Sequence, residues 1–349
     1  MIEPRKIKLM QRCLDLAQKG ASKVSPNPMV GCVIVRGNQI VGEGYHHQFG
    51  GPHAEVYALR AAGKKAIDAT LFVSLEPCSH FGKTPPCADL IISSGIQKVV
   101  VGTNDTSEKI SGKGIMRLME AGCEVRTGVL EEDCRRLNRR FFTFHEKKRP
   151  YITLKWAQSS DGFLDIIRSE SHSTEPNWIT GKPERVLVHK WRASEQAILV
   201  GAGTVRADNP RLNVREWKGA DPMKLILSSS GILKKGSFLN NTDSKTIVFT
   251  HNSGEDIPGV VMVLLREVVP ASAQICEYLY SCGIQSLFIE GGAVVLNHFI
   301  STGLWDEARI FTGKGHFREG VKAPLIKGIL FSKSDFSGSS LEIYLKNGS

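Results

Sequence analysis

The segment PHAEVYALRAAGKKAIDATLFVSLEPCSHFGKTPPC (residues 52–87) contains a histidine, a glutamate and two cysteines beside predicted secondary-structure elements. His53 stands directly before a predicted apolar helix, Cys78 follows a predicted strand, and Cys87 opens another helix. Zinc prefers thiolate and imidazole ligands in a tetrahedron, and a catalytic zinc keeps one position open for water. The pattern therefore predicts that these three residues bind Zn²⁺. Glu55 is close enough to move protons there without binding the metal.

The order of these residues is typical of zinc-dependent deaminases, in which water attacks a ring carbon that carries an amine. The usual motif is Cys-x-x-Cys, whereas eight residues (SHFGKTPP) separate Cys78 from Cys87. Such a loop must be held by the fold, and it can lean over a substrate. Two alternatives stay open. The cysteines are buried apolar residues, or the metal only supports folding, which requires a fourth ligand such as His46 or His80.

Length and composition indicate two globular domains. The chain has 349 residues, of which 41% are hydrophobic and 23% are charged, a composition typical of packed cores. No apolar run is long enough to span a membrane, and the amino-terminal segment lacks the apolar block of a signal peptide. We therefore expect a cytoplasmic protein. The eight cysteines show no disulfide framework, so free thiols or metal ligands are expected.

The charge balance favours anionic partners, since the net charge is +10 and the pI is about 9.2. The Lys and Arg residues are dispersed, and no stripe of aromatic and basic residues of the kind that binds single strands stands out. We therefore expect small phosphorylated substrates, no nucleic acid and no membrane. A deaminase that acts on nucleic-acid bases is a competing interpretation, and strong, salt-dependent binding of single strands would favour it.

Predicted helices and strands alternate along both halves of the chain, which indicates α/β folds and, for the first half, a three-layer sandwich. The charged segment KKRP (residues 147–150) separates the halves into domains at 1–147 and 148–349. In the first half, the predicted helices cover 7–19, 54–62, 87–94, 114–121 and 131–144, and the strands cover 29–35, 39–42, 70–75 and 98–102. In the second half, the predicted helices cover 182–193, 271–282 and 294–301, the strands cover 151–157, 197–200, 224–227, 246–249, 286–289, 306–312 and 341–345, and a polar loop covers 165–176.

Two glycine turns in the second half predict an anion-binding crevice. EGG (residues 290–292) lies where a strand feeds a helix, and glycines there let backbone N–H groups approach a phosphate. GAGT (residues 201–204) is a second such turn. Each turn alone fits any α/β protein, but together they predict a dinucleotide phosphate site at the strand ends. Arg192 and Arg215 either pair with a substrate phosphate or are exposed helix and loop charges.

The chain resembles the RibD family of bifunctional riboflavin-biosynthesis enzymes over nearly its whole length. The deaminase half is similar at PNPMVG (26–31), GEGYH (42–46), PHAE (52–55), LEPCSHFGKTPPC (75–87) and GKGI (112–115). The reductase half is similar at KWAQSSDG (155–162), WIT (178–180), WRAS (191–194), TVRADNPRLNVR (204–215) and IEGG (289–292). The resemblance implies a cytidine-deaminase-like three-layer sandwich followed by a dihydrofolate-reductase-like α/β domain.

The resemblance also implies two successive reactions. The first hydrolyses an amine from 2,5-diamino-6-(5-phosphoribosylamino)pyrimidin-4-one at a Zn²⁺ site, and the second uses NADPH to reduce the ribosyl group of the product to ribityl. The implied zinc ligands are His53, Cys78 and Cys87, with Glu55 as the catalytic residue. The implied substrate contacts are Asn27, His46, Lys83, Asp105, Lys155, Arg192, Leu212, Arg215 and Glu290. The implied NADPH contacts are Ala157, Trp178, Thr204, Asp208, Ser229, Gly292, Ala293, Val294, Val295 and Leu296.

Three positions depart from the family's pattern, and two of them fall in the reductase half. Asp105 is followed by Thr-Ser, where the family often has Pro-Asn. Ser228 stands where the family often has aspartate, and Pro176 replaces a serine that usually precedes the Trp-Ile-Thr motif. The alternative function is therefore a deaminase with a weakened or inactive reductase. We also expect a homo-oligomer, either a dimer or a tetramer.

Overall fold

The computed structural model describes residues 3–80, 85–107, 111–167, 177–232, 245–252, 258–336 and 338–348. The chain divides into two compact units, a first unit at Met1–Lys148 and a second unit at Arg149–Ser349. Lys83, Pro176 and most of the predicted loop at 165–176 lie outside the described residues. Within the described ranges, no helix combines the length and the apolar character that crossing a membrane requires.

The first unit is built on one sheet. Its helices are α1 (Pro4–Gln18), α2 (Ala54–Ala62), α3 (Cys87–Ser93), α4 (Lys113–Glu120), α5 (Glu131–Leu137) and α6 (Arg139–Lys147). Its strands are β1 (Gly31–Arg36), β2 (Gln39–Tyr45), β3 (Thr70–Leu75), β4 (Lys98–Thr103) and β5 (Glu124–Arg126). The strand order is β2-β1-β3-β4-β5, in which β1 is antiparallel to β2 and β3, and the strands β3, β4 and β5 are parallel.

Helices cover both faces of this sheet, because alternate residues of a strand point to opposite faces. Cys32 and Ile34 of β1 join Ala58 of α2 in one buried cluster. Val33 of β1 joins Leu14 of α1 in another. The two clusters confirm the predicted three-layer α/β sandwich.

The predicted single helix at 131–144 is wrong, because the structure has two helices there. The break falls at Asn138, whose backbone leaves the helical region at φ −103° and ψ 26°. The Asn138 side chain forms hydrogen bonds with the backbone of Met29, which is distant in the sequence. Its Oδ1 accepts the backbone N–H of Met29 at 2.8 Å, and its Nδ2 donates to the Met29 carbonyl oxygen at 2.9 Å. The buried asparagine thus ties the end of α5 to the segment before β1.

The second unit is built on a larger sheet. Its helices are α7 (Lys182–Arg192), α8 (Ala202–Asp208), α9 (Ala271–Ser281) and α10 (Ala293–Ser301). Its strands are β6 (Tyr151–Gln158), β7 (Phe163–Asp165), β8 (Ala197–Gly201), β9 (Met223–Leu227), β10 (Thr246–Thr250), β11 (Val260–Leu264), β12 (Ser286–Ile289), β13 (Glu307–Gly313), β14 (Val321–Lys322), β15 (Ile329–Asp335) and β16 (Ser339–Leu345). Among the described residues, the large sheet has the order β11-β10-β9-β8-β12-β6-β13-β16-β15, and β7 pairs with β14. The sequence does not predict α8, β5, β7, β11, β14 or β15.

The strands from β11 to β13 of the large sheet are parallel, and β16 is antiparallel to both neighbours. Buried clusters on the two faces include α9 and α10 on one side and α7 and α8 on the other, which confirms the predicted α/β class. Loops that leave the carboxyl ends of neighbouring parallel strands meet at one edge, where ligands bind. The segments after β8, β9, β10 and β12 therefore lie at the same edge as the end of β6.

Candidate active sites

The three predicted zinc ligands meet in the first unit. His53 is the N-cap residue of α2, Cys78 follows β3, and Cys87 is the first residue of α3. The Nδ1 atom of His53 lies 3.3 Å from Sγ of Cys87 and 3.6 Å from Sγ of Cys78. The ligand atoms of all three residues lie within 4.8 Å of one another. One imidazole and two thiols at this spacing fit three corners of a zinc tetrahedron.

The two thiols interact through hydrogen bonds. Cys87 donates its backbone N–H to Sγ of Cys78 at 3.3 Å. Hydrogen bonds with Cys87 and His53 lower the pKa of Cys78 to about 4, although burial opposes this shift. The pKa of Cys87 is raised by its hydrogen bond with Cys78 and by burial. A coordinated metal ion favours the thiolate form of its cysteine ligands.

Glu55 lies in the first turn of α2 and is 3% exposed. Burial raises the pKa of its carboxyl group, and the charge of His53 opposes that shift. The Oε2 atom of Glu55 has no hydrogen-bond partner among the described residues. Because a buried polar atom without a partner is costly, this oxygen calls for a group that the described residues do not supply. A water molecule or a substrate amine beside the three ligands meets that need, so the residues fit the predicted zinc chemistry.

His46 and Asn27, two of the predicted substrate residues, contact each other beside the ligands. The ring centroids of His46 and His53 are 5.4 Å apart in an edge-on arrangement. Nδ1 of His46 donates to the carbonyl oxygen of Pro52 at 2.9 Å, and Nε2 therefore accepts from Nδ2 of Asn27 at 3.2 Å. Burial lowers the pKa of the His46 ring. A neutral ring with both nitrogens engaged is not available as a fourth zinc ligand.

In the described part of the chain, the metal-ligand cluster has three members, and His80 is not one of them. A structural zinc site is closed by four protein ligands, whereas a catalytic site leaves one position to water or substrate. The geometry therefore favours a catalytic site over a metal that only supports folding.

Asp105 is buried near the end of β4, and its Oδ1 accepts the backbone N–H of Ser107 at 2.7 Å. Burial raises the pKa of the Asp105 carboxyl group, and the hydrogen bonds with Ser107 oppose that shift. The backbone N–H of Asp105 donates to Glu76 at 3.1 Å. Glu76 carries no metal-binding or acid–base signature, so the sequence alone does not single it out. The predicted contact of Lys83 stays a prediction, because that residue lies outside the described ranges.

A cavity of about 860 Å³ opens at the carboxyl edge of the large sheet in the second unit. Ligand pockets usually measure about 300–1,000 Å³. The predicted residues that line it are Lys155, Ala157, Trp178, Arg192, Thr204, Asp208, Arg215, Ser229, Glu290, Gly292, Ala293, Val294 and Val295. Leu212 and Leu296 are not among the residues that line it, and both side chains pack in core clusters of this unit.

Arg192 and Glu290 form a bidentate ion pair in this cavity. Nε and Nη2 of Arg192 donate to Oε1 and Oε2 of Glu290 at 2.6 and 2.7 Å, and Nη1 donates to the carbonyl oxygen of Asn213 at 3.1 Å. Burial works to raise the pKa of Glu290, but the charges of Arg192 and Lys155 outweigh it and lower that pKa. Burial also lowers the pKa of Lys155. The Arg192 guanidinium, a predicted phosphate contact, is thus held by Glu290.

His189 is a cavity residue that the sequence analysis misses, because one histidine within a helix is usually structural. Its Nδ1 accepts the backbone N–H of Arg215 at 3.2 Å. Burial, together with the charges of Arg192 and Arg215, lowers the pKa of His189 to about 4, so the ring is neutral at neutral pH. Burial and the charge of Arg192 lower the pKa of Arg215 as well. This wall concentrates positive charge, which suits a phosphorylated substrate.

Two glycines shape the cavity where β12 meets α10. Gly291 and Gly292 have φ angles of +102° and +72°, which favour glycine. A Cβ atom at Gly292 would approach Oγ1 of Thr204 to 3.1 Å. The first N–H groups of α10 border the cavity, and a helix amino end favours a phosphate. Trp178 adds an exposed aromatic face with the Arg185 guanidinium over its ring. These features fit an anionic dinucleotide such as NADPH.

Two protein-family models match the chain. The cytidine and deoxycytidylate deaminase zinc-binding region matches residues 4–103, a range that contains the three predicted zinc ligands and Glu55. The RibD C-terminal domain matches residues 150–313, a range that contains most of the cavity in the second unit.

Known relatives match both units together. The riboflavin biosynthesis protein RibD of Aquifex aeolicus is 41% identical over 344 residues, which cover 97% of this chain and 92% of that protein. RibD of Bacillus amyloliquefaciens is 37% identical and covers 95% of this chain and 88% of that protein. The crystal structure of a diaminohydroxyphosphoribosylaminopyrimidine deaminase/5-amino-6-(5-phosphoribosylamino)uracil reductase from Thermotoga maritima matches with a TM-score of 0.87 and 37% identity over 98% of both chains. Acinetobacter baumannii RibD matches with a TM-score of 0.87 and 32% identity, also over 98% of both chains.

These matches extend over both units in one polypeptide, so they support the two activities together rather than a deaminase alone. The cofactors that the family resemblance implies, Zn²⁺ and NADPH, are those of this pair of domains. The chain therefore belongs to the RibD family of riboflavin-biosynthesis enzymes and joins a zinc-dependent deaminase to an NADPH-dependent reductase.

Proposed function

We propose that the first unit hydrolyses an amine from 2,5-diamino-6-(5-phosphoribosylamino)pyrimidin-4-one, and that the second unit reduces the ribosyl group of the product to ribityl. The Thermotoga maritima relative is named for this pair of activities and is 37% identical over 98% of both chains. The observation that carries the proposal is the cluster of His53, Cys78 and Cys87 beside the buried Oε2 of Glu55. We assign the deaminase to residues 1–147 and the reductase to residues 148–349.

The deaminase reaction needs a nucleophile, a proton acceptor and a proton donor. When bound by His53, Cys78 and Cys87, zinc supplies the Lewis acidity that makes water nucleophilic at neutral pH. Glu55 takes a proton from the attacking water and passes a proton to the leaving ammonia. Burial raises the pKa of its carboxyl group towards the working pH, which suits a residue that must both accept and release a proton.

Asn27, His46, Lys83 and Asp105 line the pyrimidine and phosphoribosyl pocket in this proposal. The carbonyl oxygen of Pro52 fixes the tautomer of His46, and His46 in turn fixes the orientation of the Asn27 amide. With Nδ2 of Asn27 directed at His46, the Oδ1 atom is oriented to accept a hydrogen bond from an amine of the pyrimidine.

The reductase site binds and orients two partners. NADPH, when bound, supplies the hydride. Lys155 and Arg215 contact the sugar phosphate, with Arg192 holding Glu290 and Leu212 packing behind them. The proposed NADPH contacts are Ala157, Trp178, Thr204, Asp208, Ser229, Gly292, Ala293, Val294, Val295 and Leu296, most of which line the cavity.

The partners in this proposal are small phosphorylated pyrimidines, with no nucleic acid and no membrane. The positive charge around Arg192 and Arg215 supports an anionic substrate. We further propose that the enzyme is a cytoplasmic homo-oligomer, a dimer or a tetramer. Light scattering of the purified enzyme distinguishes these states from a monomer.

The variant Glu55→Gln tests the deaminase assignment, because it keeps the shape of the side chain and removes the proton acceptor. We expect kcat for deamination to fall by about 10²–10⁴-fold, with zinc content and NADPH oxidation unchanged. Glu124→Gln is the control, since the Glu124 side chain is 72% exposed in an ion pair with Lys98, and it should leave both activities unchanged. Deamination by Glu55→Gln at the wild-type rate would refute the assignment.

A deaminase with a weakened or inactive reductase is the less favoured function. The Ser228 departure has a structural explanation, because its Oγ accepts the backbone N–H of Gly231 at 3.1 Å in a buried turn. The cavity also keeps most of the predicted NADPH residues. NADPH oxidation in the presence of the deaminated product tests this point, and its absence would establish the alternative.

A further inference from the structure

The carboxylate of Glu76, which follows β3, accepts hydrogen bonds from four backbone N–H groups of the described residues. Its Oε2 accepts the N–H groups of Asp105 at 3.1 Å and Gly112 at 3.0 Å. Its Oε1 accepts the N–H groups of Gly114 at 2.9 Å and Ile115 at 3.3 Å. Glu76 is 4% exposed. A buried carboxylate with donors on both oxygens is held rigidly, because any movement breaks several charge-assisted hydrogen bonds.

These hydrogen bonds fix the amino end of α4. The first N–H groups of a helix have no partner within the helix, and the N-cap residue Gly112 supplies no side chain for them. Glu76 supplies the acceptor from a different element. The same end of α4 lies against the segment Pro77-Cys78, because a Cβ atom at Gly114 would stand 1.9 Å from the carbonyl oxygen of Pro77. Pro77 directly precedes Cys78, so the positions of α4 and of this zinc ligand are set together.

We propose that Glu76 is a positioning residue of the deaminase, which couples the zinc ligand Cys78 to the substrate residue Asp105 through the amino end of α4. This inference rests on the proposed function, since it takes Cys78 as a metal ligand and Asp105 as a substrate contact. Oε2 of Glu76 fixes the backbone of Asp105 directly, and the Ser107 N–H then orients the Asp105 carboxylate. One side chain therefore controls both metal affinity and substrate binding.

The variant Glu76→Gln separates this role from packing, because it keeps the shape and changes the hydrogen-bonding pattern. Every one of the four partners is an N–H donor, whereas a glutamine amide has one acceptor oxygen and one NH₂ group. The NH₂ group must face either the pair of donors at Oε2 or the pair at Oε1. Loss of a group that hydrogen-bonds a metal ligand costs about 10–100-fold in metal affinity or activity, and Glu76 acts on Cys78 through α4 and Pro77. We expect a rise of that size in the zinc Kd, measured by competition with a chelator, and a rise in KM for the pyrimidine.

Two controls and a second test variant make the result specific. NADPH oxidation by the same protein reports the second unit and should be unchanged. Glu124→Gln removes a charge from an exposed position of the first unit and should leave the zinc Kd and KM at wild-type values. Gly114→Ala, whose added methyl group meets the Pro77 carbonyl oxygen, should raise both quantities as Glu76→Gln does, and it provides the test if Glu76→Gln fails to fold.

A purely structural role makes a different prediction. It lowers the unfolding temperature of Glu76→Gln but leaves the zinc Kd and the KM of the folded enzyme at wild-type values, and that result would overturn the proposal. If the wild-type enzyme binds zinc without deaminating the pyrimidine, the proposed function fails instead. A raised zinc Kd in Glu76→Gln would in that case still support the coupling of Glu76 to Cys78.

Discussion

The buried ion pair of Arg192 and Glu290 predicts a large loss of stability when its anion is removed. The two side chains are 12% and 8% exposed, and their closest atoms are 2.6 Å apart. Glu290→Gln keeps the shape but removes the negative charge that offsets the Arg192 guanidinium and the Lys155 amine. Breaking a buried pair by removing one partner costs about 3–5 kcal/mol, because the remaining charge is left without compensation.

This energy converts to a measurable shift in Tm. For a unit of the size of Arg149–Ser349, each kcal/mol changes Tm by roughly 2–4 °C. We therefore expect Glu290→Gln to lower the Tm of the second unit by roughly 6–20 °C. The chain contains five tryptophans, all in the second unit. Thermal unfolding followed by tryptophan fluorescence consequently reports this unit alone.

Glu277→Gln is the matched control for the same charge change in the same unit. Glu277 pairs with Arg266 at 2.9 Å, but the two side chains are 71% and 63% exposed. Exposed pairs contribute about 0–1 kcal/mol, so the control should change Tm by no more than roughly 4 °C. Equal Tm values for Glu290→Gln and Glu277→Gln would refute the argument that burial makes the Arg192 pair important.

Three further predictions concern the reductase substrate site, the pH dependence of stability and the zinc requirement of deamination. Lys155→Met should raise the KM of the reductase for its phosphorylated substrate roughly 10- to 150-fold, the factor for losing a charged hydrogen bond, and an unchanged KM in NADPH oxidation would remove Lys155 from the substrate site. The pKa of His189 is about 4 in the folded state against a usual 6.5, so between these pH values the unfolded state binds more protons and stability falls as the pH drops from 6.5 to 4. His189→Asn should therefore reduce the dependence of the Tm of the second unit on pH over that range. An unaltered dependence of Tm on pH would contradict the lowered pKa of His189. A zinc chelator should abolish deamination and spare NADPH oxidation, and parallel loss of both activities would contradict separate sites.

The zinc site could be predicted because its residues stand next to elements whose bounds follow from local pattern. The predicted helix at 54–62 and the predicted strand at 70–75 agree with α2 and β3 at both ends. His53 and Cys78 flank these two elements, and Cys87 begins α3 as predicted. Local periodicity thus places these three residues correctly relative to the helices and strands of the first unit. The parallel order of β3 and β4 was not needed for that prediction.

Features that depend on distant partners could not be predicted in this way. Asn138 ends α5 through hydrogen bonds to Met29, which is 109 positions away in the sequence. Arg192 is engaged by Glu290, which is 98 positions away, so the sequence does not reveal the carboxylate that holds this guanidinium. The strand β15 could not be predicted from the sequence for another reason. Most of its residues are exposed on an edge strand, and it therefore lacks the alternation of buried and exposed positions that marks a strand.

The contrast between Glu55 and Glu76 shows how the fold separates chemistry from support. In sequence, each glutamate stands two positions from a zinc ligand, and in the structure they are 3% and 4% exposed. Glu76 receives four backbone N–H donors, whereas Oε2 of Glu55 receives none from the described residues. A carboxylate whose oxygens are fully paired is fixed in place, while one with an unpaired oxygen gains by binding water or a proton. The supply of backbone donors, which only the tertiary structure determines, therefore fixes the Glu76 carboxylate and leaves Oε2 of Glu55 open to water or a proton, as the roles proposed for these two residues require.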